Sequence, residues 1–477
     1  MKIKKEIKKI IFVNPFPYYA AGINEATIYA PLGLAYIAAY LREYLKVECL
    51  IIDANVLELT NDKVIEEIDR QKPDMVFISA NIVTARSGSE ISKIIKEKYN
   101  GSILVAFGGP YPTALPEKLI NESSADFVIK AEGEKSSFDL INALNKGQDI
   151  SNIGGLCYRD QSTNKIIINK PAELIQDLDS LPFPAYDLLP NFKLYKGRSR
   201  GTPVAPVMTS RGCPYGCTFC NRNIFGRTFR ARSPENVVNE IEFLIKNFGV
   251  RQIDILDDNF TMDIDRADKI CDLIIQRGLK VYINCANGIR ADRLTEELVI
   301  KMKKAGVFKV GMGIESADDQ IRKNIQKSLD INRVMESTKW FKKHGVIVYG
   351  FFMLGLPGET EETLRKTIDF AKELDPHIAN FSLTTPFPGS ELWEQIEKEG
   401  KFTKDLTNGS DSGYYENKFS FELGNINGDL VLEYQQKAYK EFYMRPRKIL
   451  QLIASARSYY ELKWIVDAAI PLLKVVK

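Results

Sequence analysis

Apolar, β-rich runs alternate with helical patterns along most of this 477-residue chain, and that alternation constrains the fold more than any other feature. In the first third the runs lie at residues 9–13, 47–53, 74–80, 102–108 and 126–129, with helical patterns near 31–44, 61–71, 85–99, 114–121 and 134–146. Strands that are apolar on both faces need helices on both sides of their sheet, so this region reads as a doubly wound, parallel-sheet α/β domain of Rossmann-like type. A hairpin pattern follows at 155–159 and 165–169, then the proline-broken stretch 178–190, which reads as an extended linker. From Thr202 the alternation resumes. Strands at 204–209, 252–257, 280–286, 308–314, 346–354 and 379–385, with helices at 234–247, 263–277, 296–305, 319–326, 332–344 and 361–374, predict a partial (β/α)6 barrel of the TIM type. In such barrels the chemistry sits at the C-terminal ends of the strands. The expected division is 1–150, an α/β domain; 151–200, hairpin and linker; 201–400, the partial barrel; and 401–477, a mainly helical region whose end, 464–477, reads as a packing helix.

Composition removes several function classes. With 65 basic against 62 acidic residues the net charge is +3, too near neutral for an electrostatic nucleic-acid partner. No apolar stretch approaches the length of a membrane span. The basic N-terminus reads as a lysine-flanked first strand rather than a signal peptide. Seven cysteines, an odd number, in so long a chain do not form a secreted disulfide framework. A reducing cytoplasm is the expected setting.

Three of those cysteines are packed into Arg211-Gly-Cys213-Pro-Tyr-Gly-Cys217-Thr-Phe-Cys220, a C-x3-C-x2-C loop just after the strand at 204–209. Thiolates this close can ligate three corners of a four-iron cluster and leave the fourth iron open to a substrate. The competing reading is a non-enzymatic scaffold holding zinc, which wants a fourth ligand at regular spacing. Cys271 and Cys285 form no such pair, and the only histidines, His344 and His377, are distant in sequence.

Other strand ends carry polar or glycine-rich motifs. Leu256-Asp257-Asp258-Asn-Phe-Thr261 offers carboxylates at a strand end, with Thr261 or Asp263 as the expected helix cap. Asn287-Gly-Ile-Arg290 places a guanidinium suited to a carboxylate, or to a surface ion pair. Gly311-Met-Gly-Ile-Glu315-Ser316 and the turn Gly355-Leu-Pro-Gly358-Glu-Thr360 allow close backbone approach, with Thr360 as a cap. Pro386-Phe-Pro-Gly-Ser390 follows the sixth strand.

The cysteine loop and these motifs, in this order, resemble the radical S-adenosylmethionine (radical SAM) enzymes. The resemblance implies a [4Fe-4S] cluster on Cys213, Cys217 and Cys220, and SAM contacts from Phe219, Asp257, Asp258, Arg290, Glu315, Ser316 and Gly355. In the N-terminal third, Pro31-Leu32-Gly33, Gly108-Gly109-Pro-Tyr111-Pro-Thr113 and Glu132-Gly133-Glu134 resemble the cobalamin-binding domain of B12-dependent members, as does Leu181-Pro-Phe-Pro-Ala-Tyr-Asp187. By that resemblance Pro31, Leu32, Gly33, Gly108, Gly109, Tyr111, Thr113, Glu132, Gly133 and Glu134 would contact cobalamin. Two departures stand out: no histidine precedes His344, so this domain cannot supply a histidine lower ligand to cobalt, and Tyr111 stands where the family often has histidine.

The implied activity is methylation of an unactivated carbon in a small-molecule or lipid-like substrate. A 5′-deoxyadenosyl radical would activate the carbon, cobalamin would deliver the methyl, and an external donor of flavodoxin or ferredoxin type would supply electrons under low oxygen. Ring formation or rearrangement without methyl transfer is the alternative.

Overall fold

In the computed structural model, residues 6–17, 29–195, 199–285, 287–407, 419–425 and 427–457 are described, together with 459, 462 and 463. The five apolar runs of the first third become parallel strands: β1 (Lys9–Asn14), β2 (Glu48–Asp53), β3 (Met75–Ser79), β4 (Leu104–Gly108) and β5 (Phe127–Ile129), in the order 2-1-3-4-5. Helices α1 (Leu32–Leu45), α2 (Asn61–Gln71), α3 (Ala85–Lys98), α4 (Pro110–Ala114), α5 (Pro116–Glu122) and α6 (Gly133–Lys146) connect them. Strand periodicity splits the core in two. Ile10 and Phe12 of β1 join Leu34 and Leu41 of α1 and Leu140 of α6, whereas Ile11 and Val13 join Ile65 of α2 and Ile91 of α3. The chain leaves β1 for β2 on one side and later takes up β3 on the other. That reversal opens a crevice above the carboxyl ends of β1 and β3, the usual ligand position in such sheets.

Two expectations for 151–200 change. The hairpin, β6 (Leu156–Arg159) and β7 (Ile166–Ile168), pairs antiparallel onto β5 and makes the sheet seven-stranded and mixed. The proline-broken stretch is no free linker: Leu178, Ala185 and Tyr186 are buried, and Ala185 belongs to the core beside α1. Prolines cannot donate to a ladder, so one backbone bond, Ala185 N to Ala35 O at 3.0 Å, and several side chains hold the segment. Asp187 takes both arms of Arg42 at 2.7 and 2.9 Å, and Tyr195 donates to Asp53 at 2.8 Å. Among the described residues, the first compact unit runs through Tyr195 and includes 221–226 and Thr407; the others form the second.

In the second unit, β8 (Val204–Val207) is followed by a two-residue ladder, β9 (Ser210–Arg211) with β10 (Arg230–Ala231), and α7 (Pro234–Phe248). Then come β11 (Gln252–Ile255), α8 (Ile264–Gln276), β12 (Tyr282–Cys285), α9 (Glu296–Lys304), β13 (Val307–Glu315), α10 (Asp319–Asn324), α11 (Ile331–Lys343), β14 (Ile347–Leu354), α12 (Glu361–Leu374), β15 (Ile378–Leu383) and α13 (Glu391–Glu399). Strands β8, β11, β12, β13, β14 and β15 lie in that order, all parallel, as an open six-stranded sheet. Helix starts follow the cap chemistry. Ser233, Asp263 and Thr360 each accept a first-turn N–H, while Thr261 instead accepts from Arg290 N at 2.8 Å. Helices α14 (Gly428–Tyr443) and α15 (Pro446–Ser455) close the described chain, and α14 packs on α12 and β15. The packing helix expected at 464–477 lies outside the described residues. Among the described residues no helix is long and apolar enough to cross a membrane.

Candidate cofactor sites

The cysteine loop leaves β9 and returns as β10, so the pairing of Arg211 with Arg230 and Ser210 with Ala231 clamps its two ends together. Inside it, Cys220 N donates to Cys217 O at 3.1 Å, and Thr218 N donates to Ile325 O at 3.1 Å beside α10. Gly216 lies so close to Gln326 that a Cβ there would sit 2.5 Å from Oε1. Phe219, partly buried, packs against two apolar clusters, one with Leu392 and Phe421 and the other with Ile321 and Leu356. None of the seven cysteines is in a disulfide. Burial pushes Cys49 up to about 12, Cys157 to about 11 and Cys271 to about 12, and raises Cys285 well above the ordinary thiol value. Those four are inert core residues. Cys213 and Cys217 are half-buried and Cys220 is exposed, which makes the loop's three soft thiols the donors accessible to a metal. They fit a three-thiolate cluster. Among the described residues no group of three His, Cys, Asp or Glu side chains is gathered to hold a single ion, and Cys271 and Cys285 are not placed as a fourth zinc ligand.

Beneath the loop lies Asp257. Its carboxylate accepts Thr209 N at 2.6 Å, Ser210 Oγ at 2.6 Å and Thr209 Oγ1, and faces Arg266 at 3.6 Å. All of these groups are buried. Beside the SAM contact expected of it, Asp257 has a positioning role in the fold: it ties the β8–β9 junction, and so the root of the loop, to the end of β11. Its neighbour Asp258 reaches the surface and accepts from the Gly212 backbone. Crowding by protein, then the Asp257 charge, holds the Asp258 carboxyl above its ordinary value, and its charge in turn helps burial raise the Cys213 thiol.

The remaining candidates divide similarly. Arg290 gives its fork to Asp292, at 2.8 Å from Nε and 2.5 Å from a terminal nitrogen, and lies 4.2 Å over the ring of Tyr215 in the cysteine loop. The carboxylate expected from a ligand is thus supplied by the chain. Ser316 is fully buried, its hydroxyl 3.3 Å from Thr367 and accepting Asp318 N. Glu315 sits at φ +66°, where β13 slips register after Gly313, and pairs with Lys327 at 3.1 Å. Lys327 was not foreseen from the sequence. Burial pulls its pKa down, but Glu315 and Cys217 outweigh that and leave it raised, so an ammonium stands near the Cys217 thiol. Gly355, at φ +85°, needs glycine because Phe419 lies 2.3 Å from where a Cβ would be. Its N–H is taken by Glu359 at 2.6 Å, and Leu356 N binds the same oxygen at 3.0 Å. Glu359, also unforeseen, is pushed up to about 8 by burial.

In the first unit the candidates gather at the carboxyl ends of the strands. Gly108 ends β4, and Gly109, at φ +107°, approaches Ala80 after β3 so closely that a Cβ would lie 2.8 Å from its carbonyl. Pro31 and Leu32 open α1, and beside the exposed Gly33 there is open space. Glu132 ends the β5–α6 turn and accepts Ile175 N at 2.8 Å, and Gly133 and Glu134 open α6. Thr113 accepts Ala131 N at 3.0 Å, and Tyr111 is buried with its hydroxyl donating to Thr407 O at 3.1 Å. Strand ends brought to one rim by glycine turns, next to an open glycine, fit a flat macrocycle in the crevice. The two histidines serve the second unit: His344 meets Glu296 at 2.9 Å, and His377 accepts Val348 N at 3.1 Å.

Comparison with known proteins agrees with this arrangement. Residues 20–140 match the B12 binding domain and 207–371 the radical SAM superfamily. An uncharacterised methyltransferase of Pyrococcus horikoshii is 34% identical, aligned over 94% of this chain and 95% of its own. The anaerobic magnesium-protoporphyrin IX monomethyl ester cyclase of Rubrivivax gelatinosus is 28% identical, over 81% of this chain and 70% of its own. The radical S-adenosylmethionine methyltransferase TsrM of Kitasatospora setae shares the fold at a TM-score of 0.73 and 18% identity, covering 92% of this chain and 90% of that one. This chain is accordingly a member of the cobalamin-binding-domain radical SAM enzyme family.

Proposed function

We propose that this protein is a cobalamin-dependent radical SAM methyltransferase acting on an unactivated carbon of a small molecule. The observation that carries the reading is the three-thiol loop, rooted by Asp257 at the carboxyl end of the first barrel strand, in a chain that also carries a B12-type sheet. When bound, the cluster, SAM and cobalamin supply one-electron reduction, radical formation and methyl delivery, chemistry that no side chain provides. The chain's own part is to hold and orient. Cys213, Cys217 and Cys220 would hold the cluster, while Phe219 and the Gly355 turn offer an apolar wall and a close backbone for SAM. Asp258 and Lys327 place one carboxylate and one ammonium beside the thiols for its polar end. Pro31, Gly33, Gly109 and the Glu132–Glu134 turn would seat cobalamin, with no histidine beneath cobalt from this unit. A flavodoxin- or ferredoxin-type donor would deliver electrons, and a lipid-like substrate remains within the proposed class.

The second reading, cyclisation without methyl transfer, is favoured by the likeness to the cyclase of Rubrivivax gelatinosus. Anaerobic reconstitution separates the readings. About four irons per chain, lost on Cys→Ala at 213, 217 or 220, is the expected result, and zinc alone would overturn it. S-adenosylhomocysteine formed together with 5′-deoxyadenosine supports methylation; 5′-deoxyadenosine alone supports cyclisation.

A further inference from the structure

The second unit carries a cavity at the wrong end of its sheet for the cofactors. It measures 440 Å³ and lies where the last turns of α11 and α12 meet α15, just before β15 begins. The cysteine loop follows the opposite, carboxyl end of the parallel strands. Six cations line the cavity, Lys339, Lys342, Lys372, Arg445, Arg447 and Lys448, against two carboxylates, Glu373 and Asp375.

Local pairing leaves the excess in place. Asp375 alone meets Lys342 at 2.9 Å, Arg445 at 3.1 Å and Lys448 at 2.6 Å. Lys372 is shared between Glu441 at 2.8 Å and Asp369 at 3.2 Å. Lys339 and Arg447, exposed at the rim, make no ion pair or hydrogen bond among the described residues.

Lys342 and Lys372 occupy the last turns of α11 and α12, where the negative end of the helix dipole favours cations, so fold stability accounts for them. Helix α15 is the reverse case. Its first turn has no acidic residue but contains Arg447 and Lys448, and its N-cap, Arg445, makes no side-chain cap. The dipole repels cations there; Pro446 has no N–H and Lys448 N donates to Arg445 O at 2.9 Å, so Arg447 N is the first-turn donor left for an anion. Lys448 is also nearly fully buried, and burial pulls its pKa down to about 8. Arg445 and Lys448 are held by the fold, through Phe442 O, Lys372 O and Asp375 for the first and Pro376 O, Gln451 and Asp375 for the second. The charge that gains nothing for the fold is that of Arg447 and Lys339, and a polyvalent anion reverses the sign of their interaction with the helix end.

We propose that this cavity is a phosphate site, taking a phosphate monoester or diphosphate group on the guanidinium fork of Arg447 and the ammonium of Lys339, within the positive field of the paired cations around them. A singly charged carboxylate would leave most of the excess unmatched. The same phosphate chemistry can arrive free in solution or on a lipid headgroup. The second source is tested because α15 turns Ile449, Leu450 and Ile453 outward, at 44%, 68% and 53% exposure. The site goes beyond the proposed methyl transfer and does not depend on it.

The full-length protein is titrated with inorganic pyrophosphate at low ionic strength by calorimetry. In parallel it is sedimented with vesicles of phosphatidylcholine, with and without phosphatidic acid. Saturable pyrophosphate binding, or co-sedimentation that requires phosphatidic acid, is expected; the first identifies a free phosphate ligand and the second a lipid headgroup. The double variant Lys339→Glu/Arg447→Glu should weaken whichever is seen by about tenfold or more, while Lys269→Glu on α8 leaves it unchanged. Both altered side chains are exposed and unpaired, so an unaltered circular dichroism spectrum separates lost binding from lost folding. Binding of neither probe, or equal weakening by the control reversal, overturns the proposal.

Discussion

Asp257 carries the argument that the cysteine loop is held from beneath, and its removal has consequences that can be worked from the contacts. Asp257→Ala leaves Thr209 N, Thr209 Oγ1 and Ser210 Oγ without their acceptor and Arg266 without its carboxylate at 3.6 Å. A buried donor left unsatisfied costs about 1–3 kcal/mol, and a buried cation deprived of its partner about 3–5 kcal/mol. The hydroxyls can turn, and Arg266 keeps Thr209 O at 3.1 Å and Thr209 Oγ1, so the lower ends apply and the terms overlap. The expected loss is about 4 kcal/mol. Asp257→Asn keeps one acceptor oxygen but not the charge, and should lose about half of that. Urea unfolding followed by circular dichroism reads the stability as midpoint shifts, because a chain of two units need not unfold in one step. Iron content after anaerobic reconstitution reads the consequence at the loop: it should fall in the order wild type, Asn, Ala with all cysteines intact. If Asp257→Ala moves stability by less than about 0.5 kcal/mol and keeps its iron while SAM affinity collapses, Asp257 is a ligand contact and the positioning argument is wrong.

Glu359, held at about 8 against 4.5 for an ordinary glutamate, binds its proton more tightly folded than unfolded. Stability should therefore be full below pH 4.5 and fall by up to about 5 kcal/mol as pH rises through 8; Glu359→Gln should flatten that decline in urea midpoints between pH 5 and 8.5, and parallel profiles for the two proteins would contradict it. Gly109→Ala, with its Cβ driven to 2.8 Å from Ala80 O at φ +107°, should cost about 2 kcal/mol and lower cobalamin retention, measured by thermal melting and the bound-cobalamin absorbance. Lys327→Met leaves Glu315 buried and unpaired and should cost about 3 kcal/mol; the double variant Glu315→Gln/Lys327→Met should recover most of it, and a double-mutant cycle with no coupling would refute the pairing.

The alternation of elements is legible because parallel strands covered on both faces are apolar at every position, as Ile10, Ile11, Phe12 and Val13 of β1 are, each fully buried. The hairpin is harder to read. Leu156–Arg159 and Ile166–Ile168 are as short and as apolar as an isolated loop strand, and only the unpaired edge of β5 decides that they join the sheet. The prolines of 181–190 speak correctly against helix and strand. They are silent on whether the segment packs, because Ala185 and Tyr186 are buried through side chains and not through a ladder.

The site shows a sharper limit. Asp257 and Asp258 are the same residue type at the same strand end, yet one is enclosed by Thr209, Ser210 and Arg266 while the other meets the loop at the surface. Sequence reports the carboxylate, not its partners, and the partners come from the β8–β9 junction, β9 and α8. Lys327 has still less signal, since it is one lysine among many. Its meaning arises because the register slip after Gly313 turns Glu315 to positive φ and brings its carboxylate to 3.1 Å. The two glycines upstream of Glu315, Gly311 and Gly313, are the visible trace of that slip. Glu315 is held in its left-handed conformation beside Lys327, and neither the φ nor the buried ammonium can be read from the motif, because both follow from how β13 pairs with β14.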